Sequence, residues 1–180
     1  MKKIYWILII FFSAIILSSV ASYTTYKIIN NNKEKEEIKI SDKREIFIEE
    51  MFNKIQFLDS ILDIYPGLNN IDNRIEQYEE LKNSIVDLTY VDGESEELIK
   101  YFHKWCEAEL EFEISIKANE LAKNEVEKEN TAKAIFDDLK EVSKTKSNFL
   151  DKFDSYINKY NENLNKEIIE SYFIWRRDNY

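Results

Sequence analysis

Glycine and proline are nearly absent from this sequence, which has two glycines and one proline in 180 residues. These residues form many of the turns and helix ends of globular proteins. Pro66-Gly67 is the only pair of this kind, and neither residue type occurs after Gly93. We therefore expect few turns and long helices.

Residues that carry site chemistry are equally scarce, with one cysteine and one histidine. Cys106 has no partner for an internal disulfide, so we expect it to be buried or, as the alternative, paired with another chain. His103 and Glu107 have a spacing that suits a proton relay or half of a zinc site, but also an interfacial histidine beside an acid. A di-iron site would need two Glu-x-x-His pairs, which a chain with one histidine cannot supply. We expect no enzyme activity, metal or cofactor.

Acidic residues outnumber basic residues by 35 to 25, for a formal charge of -10. Three lysines precede residue 28 and no acidic residue does, so the remaining chain is more acidic still. Such a surface repels phosphate backbones. We expect no nucleic-acid partner.

The first 27 residues contain an uncharged, mostly apolar run over residues 4–26. Tyr5 and Trp6 lie near one end and Tyr23 and Tyr26 near the other, roughly 30 Å apart along a helix at 1.5 Å per residue. Aromatic side chains favour both interfaces of a bilayer. The run predicts a signal-anchor helix whose partner is the lipid bilayer.

Lys2 and Lys3 predict a cytoplasmic N-terminus, which places the rest of the chain outside the cytoplasm. Ser19-Val20-Ala21 also has the small-residue spacing of a signal-peptidase site, so secretion after cleavage at Ala21 is the alternative. Abundant Ile, Lys and Asn with little Arg are typical of an AT-rich bacterial gene. The predicted organisation is a membrane segment over residues 1–27, a tether over 28–41 and a helical domain over 42–180.

Two amphipathic runs open this domain. Asp42 and Glu45 have capping-box spacing before the first run, which ends at Pro66-Gly67, and Asn70 is the predicted cap of the second, which ends at Asp92-Gly93. Apolar residues recur at steps of three and four, at Phe47, Met51, Ile55, Leu58, Leu62 and Tyr65, then at Ile71, Ile75, Tyr78, Leu81, Ile85 and Leu88.

A third helix is predicted from Ser95, its expected cap, and contains the alternating stretch CEAELEFEISIK. No second segment could pair with this stretch as a strand. On a helix it has two apolar faces, with Trp105 on one and Cys106 on the other, separated by two acidic edges. We therefore expect a helix between two neighbours. Its glutamates are expected to be solvated because they split into two stripes without a calcium-type loop.

The fourth run has coiled-coil-like 4-3 spacing at Ile135, Leu139, Val142, Lys146, Phe149, Phe153, Tyr156 and Tyr160. We expect the turn before it near Asn130-Thr131. The predicted fold is all-α, an elongated antiparallel bundle of about four helices.

A wide apolar arc near the C-terminus is followed by two adjacent arginines. Because Trp and Arg are common interface anchors, it is a candidate partner surface. The alternative is a helix end whose aromatics close the bundle and whose cations complement the dipole. The candidate residues are Ile169, Tyr172, Phe173, Trp175, Arg176 and Arg177.

By elimination, the sequence favours a protein that acts by protein-protein contact or self-association. It would be a scaffold, an accessory subunit or an immunity-type protector in a bacterial envelope. A secreted or anchored helical module that binds or senses a small apolar ligand is the alternative.

Overall fold

The computed structural model describes residue 40, residues 43–85 and residues 91–180. Predictions for the membrane segment, including Tyr5, Trp6, Tyr23 and Tyr26, for nearly all of the tether, and for Asp42 and Leu88 fall outside this part. Among the helices that are described, none is long and apolar enough to cross a bilayer.

The described residues are all-helical, without a strand, and five helices pack against one another. They lie in one compact unit, Lys43–Tyr180. Helix α1 spans residues 43–64, α2 Ile71–Ser84, α3 Gly93–Glu120, α4 Glu125–Tyr160 and α5 Lys166–Asn179. Short 3-10 turns, Leu68–Asn70 and Asn161–Asn163, precede α2 and follow α4. The expectation of about four helices missed the separation of α5 from α4.

Consecutive helices run antiparallel. Lys54 of α1 donates a hydrogen bond to Ser84 at the end of α2, with 2.8 Å between Nζ and Oγ. Glu94 at the start of α3 pairs with Lys159 at the end of α4. Helix α5 then returns along α4, where the Tyr172 hydroxyl donates to a carboxylate oxygen of Asp154.

One aromatic and aliphatic core joins the helices. The predicted stripe of α1 is confirmed as far as Leu58, but at its end Ile61 is buried and Leu62 is exposed. The rings of Phe102, Trp105 and Phe149 contact one another between α3 and α4. The largest fully buried side chains are Trp105, Tyr78, Tyr172, Phe47, Phe102, Phe149 and Phe153.

Helix α3 lies between two neighbours, as its pattern predicted. Its Glu113 pairs with Arg74 of α2, and its Phe102 packs against Phe149 of α4. Cys106 and Trp105, from the two apolar faces, are both buried. The second neighbour is thus α2 of the same chain, a choice that the sequence left open.

The helices before α2 and α3 end at Pro66-Gly67 and before Asp92-Gly93, as expected, but the caps of α2 and α3 differ from those expected. Gly67 has φ of 79°, a conformation that favours glycine, so it suits the turn after α1. Asn70 precedes α2 without a side-chain cap bond. The cap of α3 is Asp92 and not Ser95, because Asp92 accepts from the Ser95 amide while the Ser95 hydroxyl accepts from the Asp92 amide. This is a capping box with serine in the third helical position.

The turn between α3 and α4 lies earlier than predicted. Helix α3 ends at Glu120, and Asn130-Thr131 lies inside α4. The Asn124 side chain caps α4 by accepting from the Glu127 amide at 3.0 Å. Helix α4 thus begins at an asparagine cap, and the turn before it contains neither glycine nor proline.

Candidate functional site

The two longest helices, α3 and α4, are joined at what we call the hairpin tip, residues 114–141. Helix α2 has 14 residues, whereas α3 has 28 and α4 has 36. At 1.5 Å per residue these lengths are about 21, 42 and 54 Å. Asp72, in the first turn of α2, pairs with Lys117, so α2 reaches the base of the tip and α3 continues from there to Glu120. No residue from 121 to 141 is buried.

Polar contacts hold the two helices of the tip together. Thr131 Oγ1 donates to Asn119 Oδ1 at 2.8 Å, and the Ser115 hydroxyl donates to a carboxylate oxygen of Asp138. At the turn, the Lys123 amide donates to a carboxylate oxygen of Glu127 at 2.8 Å. The tip is therefore an ordered helical pair without a buried apolar core.

Large apolar side chains lie exposed on this tip. Phe136 and Leu139 of α4 are 59% and 48% exposed, and Leu121, Val126 and Ile114 are exposed as well. Leu139 belongs to the 4-3 seam whose later members Phe149 and Phe153 are buried in the core. The seam therefore continues from the core onto an uncovered surface, a feature typical of interaction sites.

The acidic residues of α3 divide between surface and interior. Glu107 and Glu111 are exposed, as expected, but the expectation of a solvated edge is wrong for Glu113, which is 1% exposed. Arg74 of α2 is 3% exposed and donates from Nε and Nη2 to the two Glu113 carboxylate oxygens at 2.9 and 2.8 Å. Its Nη1 donates to the backbone oxygens of Tyr65 and Gly67. This ion pair joins α3 to the turn between α1 and α2.

Glu109, on the same stripe as Glu113, is partly buried beside Trp105. The Trp105 indole donates to a Glu109 carboxylate oxygen at 2.9 Å. Burial raises the pKa of Glu109, while the Trp105 hydrogen bond and the nearby Lys146 ammonium oppose that rise. The protonated form is favoured relative to a solvated glutamate.

The single cysteine and the single histidine were the residues considered for chemistry. Cys106 is buried, and burial raises the pKa of its thiol, which disfavours the reactive thiolate. His103 is partly exposed. Across the part of the chain that the structure describes, no group of three or more His, Cys, Asp or Glu side chains is arranged to hold a metal ion.

The candidate surface near the C-terminus lies on α5 and is divided by the fold. Tyr172 is fully buried, whereas Ile169, Phe173, Trp175 and Arg176 are partly exposed. Arg177 is exposed and pairs with its neighbour Asp178. Trp175 packs edge-on against Phe52 of α1, and Arg176 pairs with Asp154 of α4. Much of this set thus contacts the bundle, and a partner could reach only its outer edge.

A surface depression of about 250 Å³ lies between α3 and α4. Its lining combines Tyr101 and Tyr156 with charged side chains of both signs, including Glu97 and Lys152. Sites for small molecules are usually more apolar and enclose most of the ligand. This depression therefore gives little support to the alternative of a small apolar ligand.

No protein-family model, curated protein or solved structure matches this chain.

Proposed function

We propose that this chain is a membrane-anchored, extracytoplasmic helical protein that acts by binding another protein through its hairpin tip. It would serve as a scaffold, an accessory subunit or an immunity-type protector in a bacterial envelope. The observation that carries the proposal is the continuation of the α4 seam from the buried Phe149 to the exposed Leu139, with Phe136, three residues earlier on the same helix, exposed outside the seam.

The argument for a protein partner comes from the arrangement of that surface. Exposed apolar side chains on a helix at core-like spacing are suited to a partner that supplies the missing neighbour. Polar contacts such as Thr131 with Asn119 keep the tip ordered without a partner, so binding would need little additional ordering.

Crosslinking from the tip tests this proposal. A photoreactive amino acid replaces Phe136 in the full chain, expressed in its native host, and irradiation is followed by mass spectrometry. The matched control carries the same group at Ile174, which is 51% exposed on α5. We expect a discrete protein adduct from position 136 that Leu139→Ser weakens and that position 174 does not give. Equal adducts from both positions, or none from position 136, would contradict the proposal.

The proposed anchor has a separate test. The N-terminal mass is measured after membrane and medium are separated. We expect a chain that begins at residue 1 in the membrane fraction, because the aromatic residues at both ends of residues 4–26 suit a spanning helix. A chain beginning at Ser22 in the medium would instead support the secreted form.

A further inference from the structure

The part of α4 that belongs to the hairpin tip has an apolar strip on one side. Thr131 and Asp138 make the hydrogen bonds to α3, and the strip lies on a different side of the helix from them. Its members recur at steps of three, one and three residues, which keeps them together on a helix of 3.6 residues per turn. We call it the tip strip, and it consists of Ala132, Ile135, Phe136 and Leu139, of which all but Ile135 are exposed.

A row of exposed charged side chains borders this strip and changes sign along the helix. Its members stand at steps of four before and after Phe136, so they line up beside that ring. The Lys140 ammonium confirms the position of the row, since it lies 4.2 Å from the centroid of the Phe136 ring. The row is acidic toward the turn and basic toward the core, in the order Glu125, Glu129, Lys133, Lys140 and Lys144.

The lysines at the basic end are only weakly held within their own helix. Lys140 pairs with Asp137 at 3.5 Å and Lys144 with Glu141 at 2.9 Å, and all four side chains are more than half exposed. Exposed pairs of this kind contribute little to stability. Both lysines are therefore able to turn toward carboxylates of a partner.

We propose that a second copy of this chain covers the tip strip, with the two α4 helices antiparallel. The inference rests on the proposed function and names the partner at the same surface. In this arrangement Glu129 lies opposite the partner's Lys140 and Glu125 opposite the partner's Lys144, and each pair occurs twice because the contact is two-fold symmetric. The two pairs share one midpoint, between residues 134 and 135, and this midpoint lies within the tip strip.

The sign change along the row selects the antiparallel orientation. Parallel copies would place Glu129 beside Glu129 and Lys140 beside Lys140, and like charges that face each other are disfavoured. In the antiparallel pair the strip supplies the apolar burial, while the exposed ion pairs determine orientation and register. Two helix segments of this length bury less area than a standard stable interface, so we expect a weak dimer that depends on concentration.

Charge reversal tests the register. Glu129→Lys and Lys140→Glu each place like charges opposite one another, and each should weaken self-association about tenfold or more. Mixed in equal amounts, the two variants should form a heterodimer, because every facing pair then has opposite signs. One chain that carries both substitutions should dimerise like wild type for the same reason. The matched control is Glu170→Lys at an exposed position of α5.

Native mass spectrometry of the full chain in detergent measures the dimer across a concentration series. One variant is isotope-labelled so that heterodimers differ in mass from homodimers, and circular dichroism checks that each variant is folded. Leu139→Ser should also weaken the dimer, because it removes an apolar side chain from the strip. A monomer at every concentration would overturn the proposal. So would a dimer that is insensitive to charge reversal, or single variants that do not recover on mixing.

The photocrosslink from position 136 separates this inference from the proposed function. A second copy predicts an adduct of twice the mass of the chain. An adduct with a different protein, together with a purified chain that stays monomeric, would overturn the second copy as partner and leave the proposed function standing. The absence of any adduct from position 136 would overturn both.

Discussion

Removing the guanidinium of Arg74 should destabilise the bundle more than any surface substitution. Arg74→Met keeps a long side chain but leaves the buried Glu113 carboxylate without its cation. Breaking one side of a buried ion pair costs about 3–5 kcal/mol. The free energy of unfolding of an ordinary domain is about 5–15 kcal/mol, so this loss is a large part of the total.

The same reasoning predicts that a second substitution restores much of the stability. In Arg74→Met with Glu113→Leu, neither charge remains buried, and the free energy of unfolding should return to within about 1–2 kcal/mol of wild type. The Gly67 oxygen still accepts a hydrogen bond from the Asn70 amide at 3.3 Å. Recovery in the double variant would identify the unpaired charge as the cause.

Urea unfolding of the full chain in mild detergent, followed by circular dichroism, measures these free energies. Lys144→Met is the matched control, since it breaks the exposed pair of Lys144 with Glu141. Exposed pairs contribute about 0–1 kcal/mol. If Arg74→Met cost no more than this control, or if the double variant were as unstable as the single one, the reasoning would be refuted.

Three further predictions concern groups inside the bundle. Because burial raises the pKa of Glu109, the folded state loses stability as pH rises from the ordinary glutamate pKa through the raised one, so Glu109→Gln should gain stability relative to wild type over that rise in urea unfolding at several pH values. A constant difference would contradict this. Iodoacetamide should label buried Cys106 at least about 100-fold more slowly in the folded chain than in urea, whereas equal rates would place the thiol at the surface. Tyr172→Phe should cost about 1 kcal/mol in urea unfolding through its lost hydrogen bond, and Tyr172→Ala about 3–5 kcal/mol through the cavity, so equal costs would place the ring outside the core.

Periodicity located the buried helical faces, because apolar spacing reflects which side of a helix is covered. It correctly grouped Phe47, Met51, Ile55 and Leu58 on one face of α1. It could not determine how far along a helix that cover extends. Leu139 has the same seam spacing as Phe149, but it is 48% exposed whereas Phe149 is fully buried.

Helix ends were harder to predict where polar side chains formed them. The turn at Gly67 follows from a residue that tolerates positive φ. The caps of α3 and α4 are Asp92 and Asn124. Aspartate and asparagine are common throughout this chain, so residue type alone does not distinguish a cap from any other polar surface residue. Helix α5 begins at a local cap, Asn165, and its contacts with α1 and α4 are not contained in a local pattern.

The buried ion pair left a recognisable signal in the sequence. Arg74 lies three residues after Ile71 and four before Tyr78, which places it on the apolar face of α2. A charged residue at such a position needs a buried partner of opposite sign. The acidic stripes of α3 contained that partner, but only the packing of α2 on α3 shows that it is Glu113.

The location of the exposed tip follows from where the chain permits turns. The glycines and the proline all lie at or before Gly93, so the first half of the bundle is divided into shorter helices. Beyond Gly93, helix breaks depend on caps, and α3 and α4 become longer than α2. Antiparallel helices of unequal length cannot cover one another to their ends. A chain of this composition therefore leaves part of its longest pair uncovered, and in this protein that part carries Phe136 and Leu139.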